Sequence, residues 1–143
     1  MKKTAAVFVL LAGIGLACAA LAGGPALGDE GRVAQIYYIK VKPGKLDEYN
    51  KYIREYAVPI DAEAQKSGAF VSLATYLSRN PDSSWSHMRI FVCKNRGQLE
   101  QLSAALDAAK LKLHPDEAKR KSDADYAATL RDFVGSEVVD ILR

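Results

Sequence analysis

The chain of 143 residues carries 20 Lys and Arg, 17 Asp and Glu and 2 His, which gives a formal net charge of +3. So small an excess of positive charge excludes the basic patch that nucleic-acid binding needs, and the length fits a single globular domain. Two cysteines are too few for a disulfide framework, so the fold must be stabilised by its core or by a partner subunit.

The N-terminal segment, residues 1–28, is predicted to be a secretory signal peptide. Two lysines precede an uncharged apolar run from Ala5 to Leu21, and small residues follow that run. Cleavage after Ala22 or after Gly28 fits the small-residue rule, and the second site is preferred. The mature protein, residues 29–143, is then a single domain that is periplasmic or secreted.

Two other fates of this segment would keep the protein at a membrane. Cys18 could be the lipidated cysteine of a bacterial lipoprotein, although the residues before it, Gly15 to Ala17, lack the leucine that normally begins such a motif. An uncleaved anchor is the other alternative, since the apolar run approaches the ~20 residues that span a bilayer. Cleavage is favoured over both, because the run contains glycines and ends in small residues.

The first predicted strand, residues 32–41, is rich in β-branched and aromatic residues. Pro43 and Gly44 follow it and predict a tight turn, in which the glycine supplies the positive φ of a type II turn. A helix comes next, because apolar residues recur three and four apart from Leu46 to Ala64. Pro59 lies inside this pattern and predicts a kink or a break just before it.

Two further strands, residues 70–78 and 85–93, are predicted to form a hairpin across the polar loop between them. A second helix is predicted over residues 98–113 from its leucine spacing, and Pro115 ends it. The charged segment 116–125 is interpreted as a solvated loop or a short helix.

The C-terminal part is predicted to contain a helix, residues 123–133, with Gly135 as its terminator, and a last strand, residues 137–142. The order is then strand, helix, strand, strand, helix, extra helix, strand. With right-handed crossovers, this order gives a ferredoxin-like α+β fold, an antiparallel four-stranded sheet with all helices on one face.

Both faces of this sheet are predicted to be apolar. The helix-covered face is assigned the aliphatic residues of the hairpin, Val71, Leu73, Leu77, Met88, Ile90 and Val92. The opposite face then holds Phe70, Tyr76, Trp85, Phe91 and Cys93. Such a face is too apolar to contact water in a small monomer, so we expect a homodimer in which a second sheet covers it.

The segment IYYIKVKPGKLDEYNKYI, residues 36–53, followed by the tryptophan-containing hairpin and the helix QLEQLSAAL, resembles the dimeric α+β barrel superfamily. This superfamily includes the antibiotic-biosynthesis monooxygenase, EthD and NIPSNAP types. The corner from Lys42 to Lys45, with the acidic and aromatic residues after it, is its most specific part. The resemblance covers roughly residues 33–142 and implies a homodimer with a pocket between sheet and helices in each subunit.

The activities that the resemblance implies range from cofactor-independent oxygenation of phenolic substrates to haem chemistry, isomerisation and no catalysis. Many oxygenase and haem-degrading relatives carry a histidine in the helix after the third strand, where this chain reads Leu99 to Ser103 without one. The Asn/Trp/His set of the haem degraders is not recognisable either. No cofactor is therefore expected, and the fold alone supplies no reaction.

His87 is the sharpest candidate for chemistry. By the period of two it shares a strand face with Trp85 and Arg89, and these groups could bind an anionic or aromatic ligand, with neutral imidazole as general base. The favoured alternative is a strand histidine that is hydrogen-bonded across the dimer seam, because few convergent groups can be named. Two histidines without a suitably spaced carboxylate or thiol predict no metal site.

A second candidate is the tyrosine cluster of the first strand and helix, Tyr37, Tyr38, Tyr49, Tyr52 and Tyr56. These phenols could line a pocket for a flat ligand and hydrogen-bond its oxygens. The alternative is that they fill half-buried positions with the hydroxyl at the rim. The predicted ligand-binding set is Tyr37, Tyr38, Tyr56, Trp85, His87 and Arg89.

Two functions therefore remain open. The first is an exported homodimer that binds a small aromatic or phenolic molecule between sheet and helices, with cofactor-independent monooxygenase-like activity as its enzymatic form. The second is a non-catalytic module for dimerisation or partner binding. A pocket lined by tyrosines and His87 would favour the first function, and a filled core would favour the second.

Overall fold

A computed structural model of the protein describes residues 31–142, so the predicted signal peptide and Cys18 lie outside the described residues. The elements of this part follow the predicted order, with a π-helical turn between the first two helices. They are β1 (Val33–Val41), α1 (Leu46–Tyr52), the π turn (Ile53–Ala57), α2 (Val58–Lys66), β2 (Ser72–Leu77), β3 (His87–Cys93), α3 (Arg96–Leu113), α4 (Glu117–Leu130) and β4 (Arg131–Asp140).

The four strands form one sheet in the order β2-β3-β1-β4, and every neighbouring pair is antiparallel. The predicted ferredoxin-like α+β fold is thus confirmed. No helix within residues 31–142 has the length and apolar character that crossing a membrane requires.

The core lies between the sheet and the helices in two clusters. The larger one packs Val33, Phe91 and Cys93 of the sheet against residues of α2 and α3 such as Leu102. The smaller one packs β1 against Tyr49 of α1 and the last residue of α4. A fully buried side chain such as Phe91 contributes about 1.5–3 kcal/mol by leaving water.

The turn after β1 has the predicted conformation. The Lys45 N–H donates to the Lys42 carbonyl oxygen at 3.0 Å, and Gly44 has φ +73°. A side chain with a Cβ adopts this conformation only under strain. The corner therefore sets the direction in which α1 leaves the sheet.

The helix does not break before Pro59. It continues from α1 through the π turn into α2, and Pro59 lies in the first turn of α2. A π turn bonds residues five apart, and the wider turn accommodates a proline that has no N–H to donate. It also stacks the Tyr52 and Tyr56 rings, whose centroids lie 5.1 Å apart.

The two sheet faces are not divided as predicted. The strand register places His87, Arg89, Phe91 and Cys93 on the helix-covered face, whereas Met88, Ile90 and Val92 lie on the open face. The prediction was wrong for β3 because both of its faces are apolar, and because the covered face carries a histidine and an arginine. The prediction for the other strand of the hairpin was right at Leu73, which packs on the core, and at Tyr76, which is exposed. It was wrong just before β2, where Phe70 is buried in the core and Val71 is exposed.

The C-terminal elements also differ from the prediction. The charged segment 116–125 belongs to α4, a 14-residue helix capped by Asp116, whose side chain accepts from the Lys119 N–H at 2.8 Å. Good helix formers and i,i+4 ion pairs stabilise this helix without a broad apolar stripe. The strand β4 then begins at Arg131. Phe133 and Gly135 are strand residues, and Gly135 lies next to a bulge in the β1–β4 pairing.

Candidate functional site

A cleft of about 640 Å³ opens between the first two helices and α4. Its volume is in the range of small-molecule sites, about 300–1,000 Å³. Its wall includes Tyr52 and Tyr56, the apolar side chains of Ile60 and Ala127, and Arg131 at the start of β4. The cleft thus combines apolar surface with two phenols and six charged residues, Asp61, Lys110, Glu117, Arg120, Lys121 and Arg131.

Four rings form a stacked column beside this cleft. The centroids of Tyr49 and Tyr52 lie 6.2 Å apart, those of Tyr52 and Tyr56 5.1 Å, and those of Tyr56 and His114 4.7 Å, with interplanar angles of 18°, 25° and 20°. Both faces of Tyr52 and of Tyr56 are therefore covered by neighbouring rings. Both tyrosines line the cleft, and with their faces stacked they offer it ring edges, the positive end of the aromatic quadrupole, and a hydroxyl donor.

These four rings, Tyr49, Tyr52, Tyr56 and His114, are called the tyrosine column below. Its three phenols stay protonated at neutral pH. Burial raises the pKa of Tyr52 to about 12, and burial also raises the pKa of Tyr49 and of Tyr56. The Arg131 charge opposes the rise of the pKa at Tyr49 and Tyr52. The column therefore presents hydroxyl donors to the cleft, beside a cation.

Most charged groups of the cleft already have partners. Lys121 pairs with Asp125 at 2.8 Å, Lys110 pairs with Asp107 at 3.2 Å, and Arg120 donates to two backbone carbonyl oxygens at the end of α3. Arg131 is half-buried and forms none of the ion pairs among residues 31–142. Arg120 and Glu117 form no ion pair in this range either, so two cations without an acidic partner stand against one carboxylate in the cleft.

An ion pair between Asp61 and Arg89 forms the floor of the cleft. The side chains are 9% and 15% exposed, and the Arg89 guanidinium lies 5.2 Å from the centroid of the Phe91 ring. Burial raises the pKa of Asp61, and the neighbouring Arg89 charge opposes that rise. The buried Arg89 Nε has no partner within the described residues.

His87 does not reach the cleft. It is 1% exposed, its Nε2 lies 2.9 Å from the Asn50 Oδ1, and its Nδ1 lies 3.1 Å from the Ser86 Oγ. The Tyr49 ring packs edge-on against the imidazole at 5.0 Å. Burial lowers the pKa of His87, so the ring is neutral at neutral pH. Its partners hold it inside its own subunit.

The other predicted ligand-binding residues are divided between the two sheet faces. Tyr38 and Trp85 lie on the open face with centroids 6.1 Å apart, and the Tyr38 hydroxyl donates to Glu137. Trp85 does not share the face of His87, because it precedes β3 and the strand alternation begins only at His87. Tyr37 lies on the covered face, where it packs on Phe91 at 5.9 Å.

Tyr56 is thus the one member of the predicted set that lines the cleft, with Arg89 behind it as the partner of Asp61. Sequence reasoning missed Asp61 and Arg131. The sequence signal for Arg131 was its position, directly after Leu130, which belongs to the apolar pattern of the predicted helix 123–133. Among residues 31–142, no three His, Cys, Asp or Glu side chains lie close enough to hold a metal ion.

Solved structures share this fold at low sequence identity. A NIPSNAP family protein from Agrobacterium tumefaciens is 16% identical, with a TM-score of 0.55, and the match covers 81% of this chain and 93% of that one. A NIPSNAP-like domain protein from Burkholderia xenovorans is 9% identical, with a TM-score of 0.53 and coverages of 81% and 87%. HapK from Hahella chejuensis is also 9% identical, with a TM-score of 0.52 and coverages of 77% and 92%.

No protein-family model matches the chain, and no curated protein matches it in sequence. Two of these neighbours are NIPSNAP proteins, one of the types that the sequence resembles, so that resemblance is confirmed at the level of the fold.

Proposed function

We propose that this protein binds a small aromatic or phenolic molecule in the cleft between the first two helices and α4. The observation that carries the proposal is a cavity of about 640 Å³ that joins an apolar wall to the hydroxyls of the tyrosine column and to Arg131. Ring edges suit edge-to-face contact with a flat ligand, whereas the stacked faces are closed to it. The ligand is then oriented by hydrogen bonds from the phenols.

Binding is favoured over catalysis. An oxygenase-like reaction on a phenol needs a base close to the phenolic proton. His87 was the base considered from the sequence, but it is buried against Asn50 and Ser86 and is not part of the cleft. Asp61 lines the cleft, but its carboxylate is held by Arg89. These contacts support a binding protein whose ligand leaves unchanged.

The proposal includes a homodimer that is formed through the open sheet face. Tyr76 and Val134 are 50% and 46% exposed there, and Met88, Ile90 and Val92 are only partly covered. Apolar surface of this extent supports association with a second sheet. Sedimentation at micromolar concentration should give a single species of twice the subunit mass, and a monomer at that concentration would refute the dimer.

Export is also proposed, from the apolar run Ala5 to Leu21 and the small residues after it. The intact mass of exported material should correspond to an N-terminus at Gly23 or at Asp29. A diacylated Cys18 at the N-terminus would instead identify a lipoprotein, and full-length protein in the membrane would identify an uncleaved anchor.

A thermal-shift screen of phenols and aromatic acids tests the binding function. A ligand at a hundred times its Kd stabilises the folded protein by about 2.7 kcal/mol. Ala124→Trp fills the cleft from α4 and should abolish the shift, whereas Ala118→Trp, an exposed change in the same helix but outside the cleft, should preserve it. A dimer that no compound stabilises would support the alternative, a non-catalytic dimerisation module.

A further inference from the structure

Two recesses border the tyrosine column, and their charges differ. The second recess, of about 370 Å³, is lined by three carboxylates and two lysines. Both lysines are paired, Lys51 with Glu55 at 4.0 Å and Lys119 with Asp123 at 3.1 Å. The larger cleft has the opposite balance. Lys110 and Lys121 are paired with carboxylates outside it and Asp61 is paired with Arg89, which leaves Arg120 and Arg131 against Glu117. An anion is therefore attracted to the cleft and not to the second recess.

Arg120 and Arg131 are the cleft cations without an acidic partner among residues 31–142, and the Arg120 guanidinium already donates to two backbone carbonyl oxygens. Arg131 makes no such side-chain bond in that range, and its backbone is held in place. It directly follows Leu130, which is fully buried and whose carbonyl oxygen accepts from the Lys42 N–H at 2.9 Å. Its backbone pairs with Val41 in the sheet. A fixed backbone limits the positions of the guanidinium, and a pre-positioned group binds an anion with a smaller loss of entropy.

The ligand needs an apolar part as well as a charge. Ala57 and Ala124 keep apolar surface accessible in the cleft, whereas Ile60 and Ala127, at 6% and 3% exposure, are already buried. A free inorganic anion would leave that surface in contact with water, whereas an aromatic ring would cover it. A charged oxygen on such a ring is matched by the Arg131 guanidinium and by phenolic O–H donors.

We infer that the ligand is an aromatic anion, whose carboxylate or phenolate oxygen accepts hydrogen bonds from Arg131 and from the Tyr52 hydroxyl while its ring covers Ala57 and Ala124. The inference rests on the proposed binding function and adds the charge of the ligand to it. It also names Arg131 as the residue that selects for that charge.

Two matched probes test the inference, 6-hydroxy-2-naphthoate and its methyl ester, which share a ring system and differ in charge. Fluorescence titration of the intact protein should give an affinity for the carboxylate about tenfold higher, which corresponds to about 1.4 kcal/mol. Arg131→Met should reduce this preference to less than about twofold. Lys119→Met removes the same charge from α4, at a residue that lines the second recess and not the cleft, so it should leave the preference unchanged.

Salt provides a second measurement that needs no variant. Added salt should weaken binding of the carboxylate and leave binding of the ester unchanged, because screening acts on the charged probe alone. If Arg131→Met does not fold, this measurement on the wild-type protein decides the question. Arg131→Lys, which retains the charge, should keep part of the preference.

The outcomes separate the inference from the function on which it rests. If both probes bind equally and Ala124→Trp abolishes both, the cleft is a binding site and the inferred charge is wrong. If the carboxylate is preferred but Lys119→Met removes the preference as completely as Arg131→Met, general electrostatics and not Arg131 selects the ligand, and the inference fails. If neither probe binds at millimolar concentration, the inference and the proposed function both fail.

Discussion

The ion pair between Asp61 and Arg89 offers a test of how the floor of the cleft is stabilised. We consider Arg89→Met, which keeps the packing of a long side chain on Phe91 and removes the guanidinium. The Asp61 carboxylate, 9% exposed, then loses its counter-ion. Breaking a buried pair in this way costs about 3–5 kcal/mol, because an uncompensated charge remains.

The structure also indicates how the loss depends on pH. Burial already raises the pKa of Asp61 in the wild-type protein, and without Arg89 that pKa rises further. A carboxyl group whose pKa is higher in the folded state than in the unfolded state binds its proton preferentially when folded. The stability lost by Arg89→Met at pH 7 should therefore return as the pH falls through the raised pKa. The double variant Arg89→Met/Asp61→Leu, which removes both charges, should recover most of the lost stability at every pH.

Urea unfolding at two pH values measures these effects, with the double variant completing a double-mutant cycle. Lys112→Met serves as the control, because Lys112 pairs with Glu63 at the surface, where its own side chain is 70% exposed. An exposed pair contributes at most about 1 kcal/mol. A loss below 1 kcal/mol for Arg89→Met, or a loss that does not diminish at lower pH, would refute the buried-pair argument.

Three other changes have definite expected outcomes. Gly44→Ala should lower the free energy of unfolding by about 1 kcal/mol, because φ at this position is +73°. Gly135→Ala should cost nothing, because φ is not positive there and an added Cβ would meet open space. Equal urea midpoints for the two variants would contradict the turn argument. Ultraviolet titration should show a phenol that ionises near pH 12 and that is absent from Tyr52→Phe. The free energy of unfolding should also fall as the pH rises from 10 towards 12, because the raised pKa of Tyr52 belongs to the folded state alone. Met88→Glu on the open face should halve the mass measured by sedimentation, whereas Thr75→Glu on the other face should not; an unchanged mass for Met88→Glu would place the dimer contact elsewhere.

The sequence predicted those parts of the fold that depend on local chemistry. The strand, the Pro43–Gly44 turn and the start of α1 are readable because one backbone conformation admits almost only glycine. The strand order followed from the element order and from general rules of chain connection. No long-range contact had to be known for either inference.

The prediction from the sequence was wrong where contacts between distant parts of the chain decided the structure. His87 and Arg89 are polar residues on the core face of β3, and their partners, Asn50 and Asp61, come from other elements. A period of two finds the two faces of a strand but does not decide which one is buried when both are apolar. Arg131 was missed for a similar reason, since its place in the cleft depends on the packing of α4 against the first helix.

The open sheet face also determines which spectroscopic signals report on each part of this protein. The protein has one tryptophan, Trp85, and it lies on that face beside Tyr38, whereas the tyrosine column lies on the other side of the sheet. Emission excited at the red edge of the spectrum, where tyrosine does not absorb, therefore follows the sheet face where a second subunit would dock. The near-ultraviolet dichroism of the stacked tyrosines follows the cleft. One sample can thus report subunit association and ligand occupancy as two separate optical signals, without a label on either side.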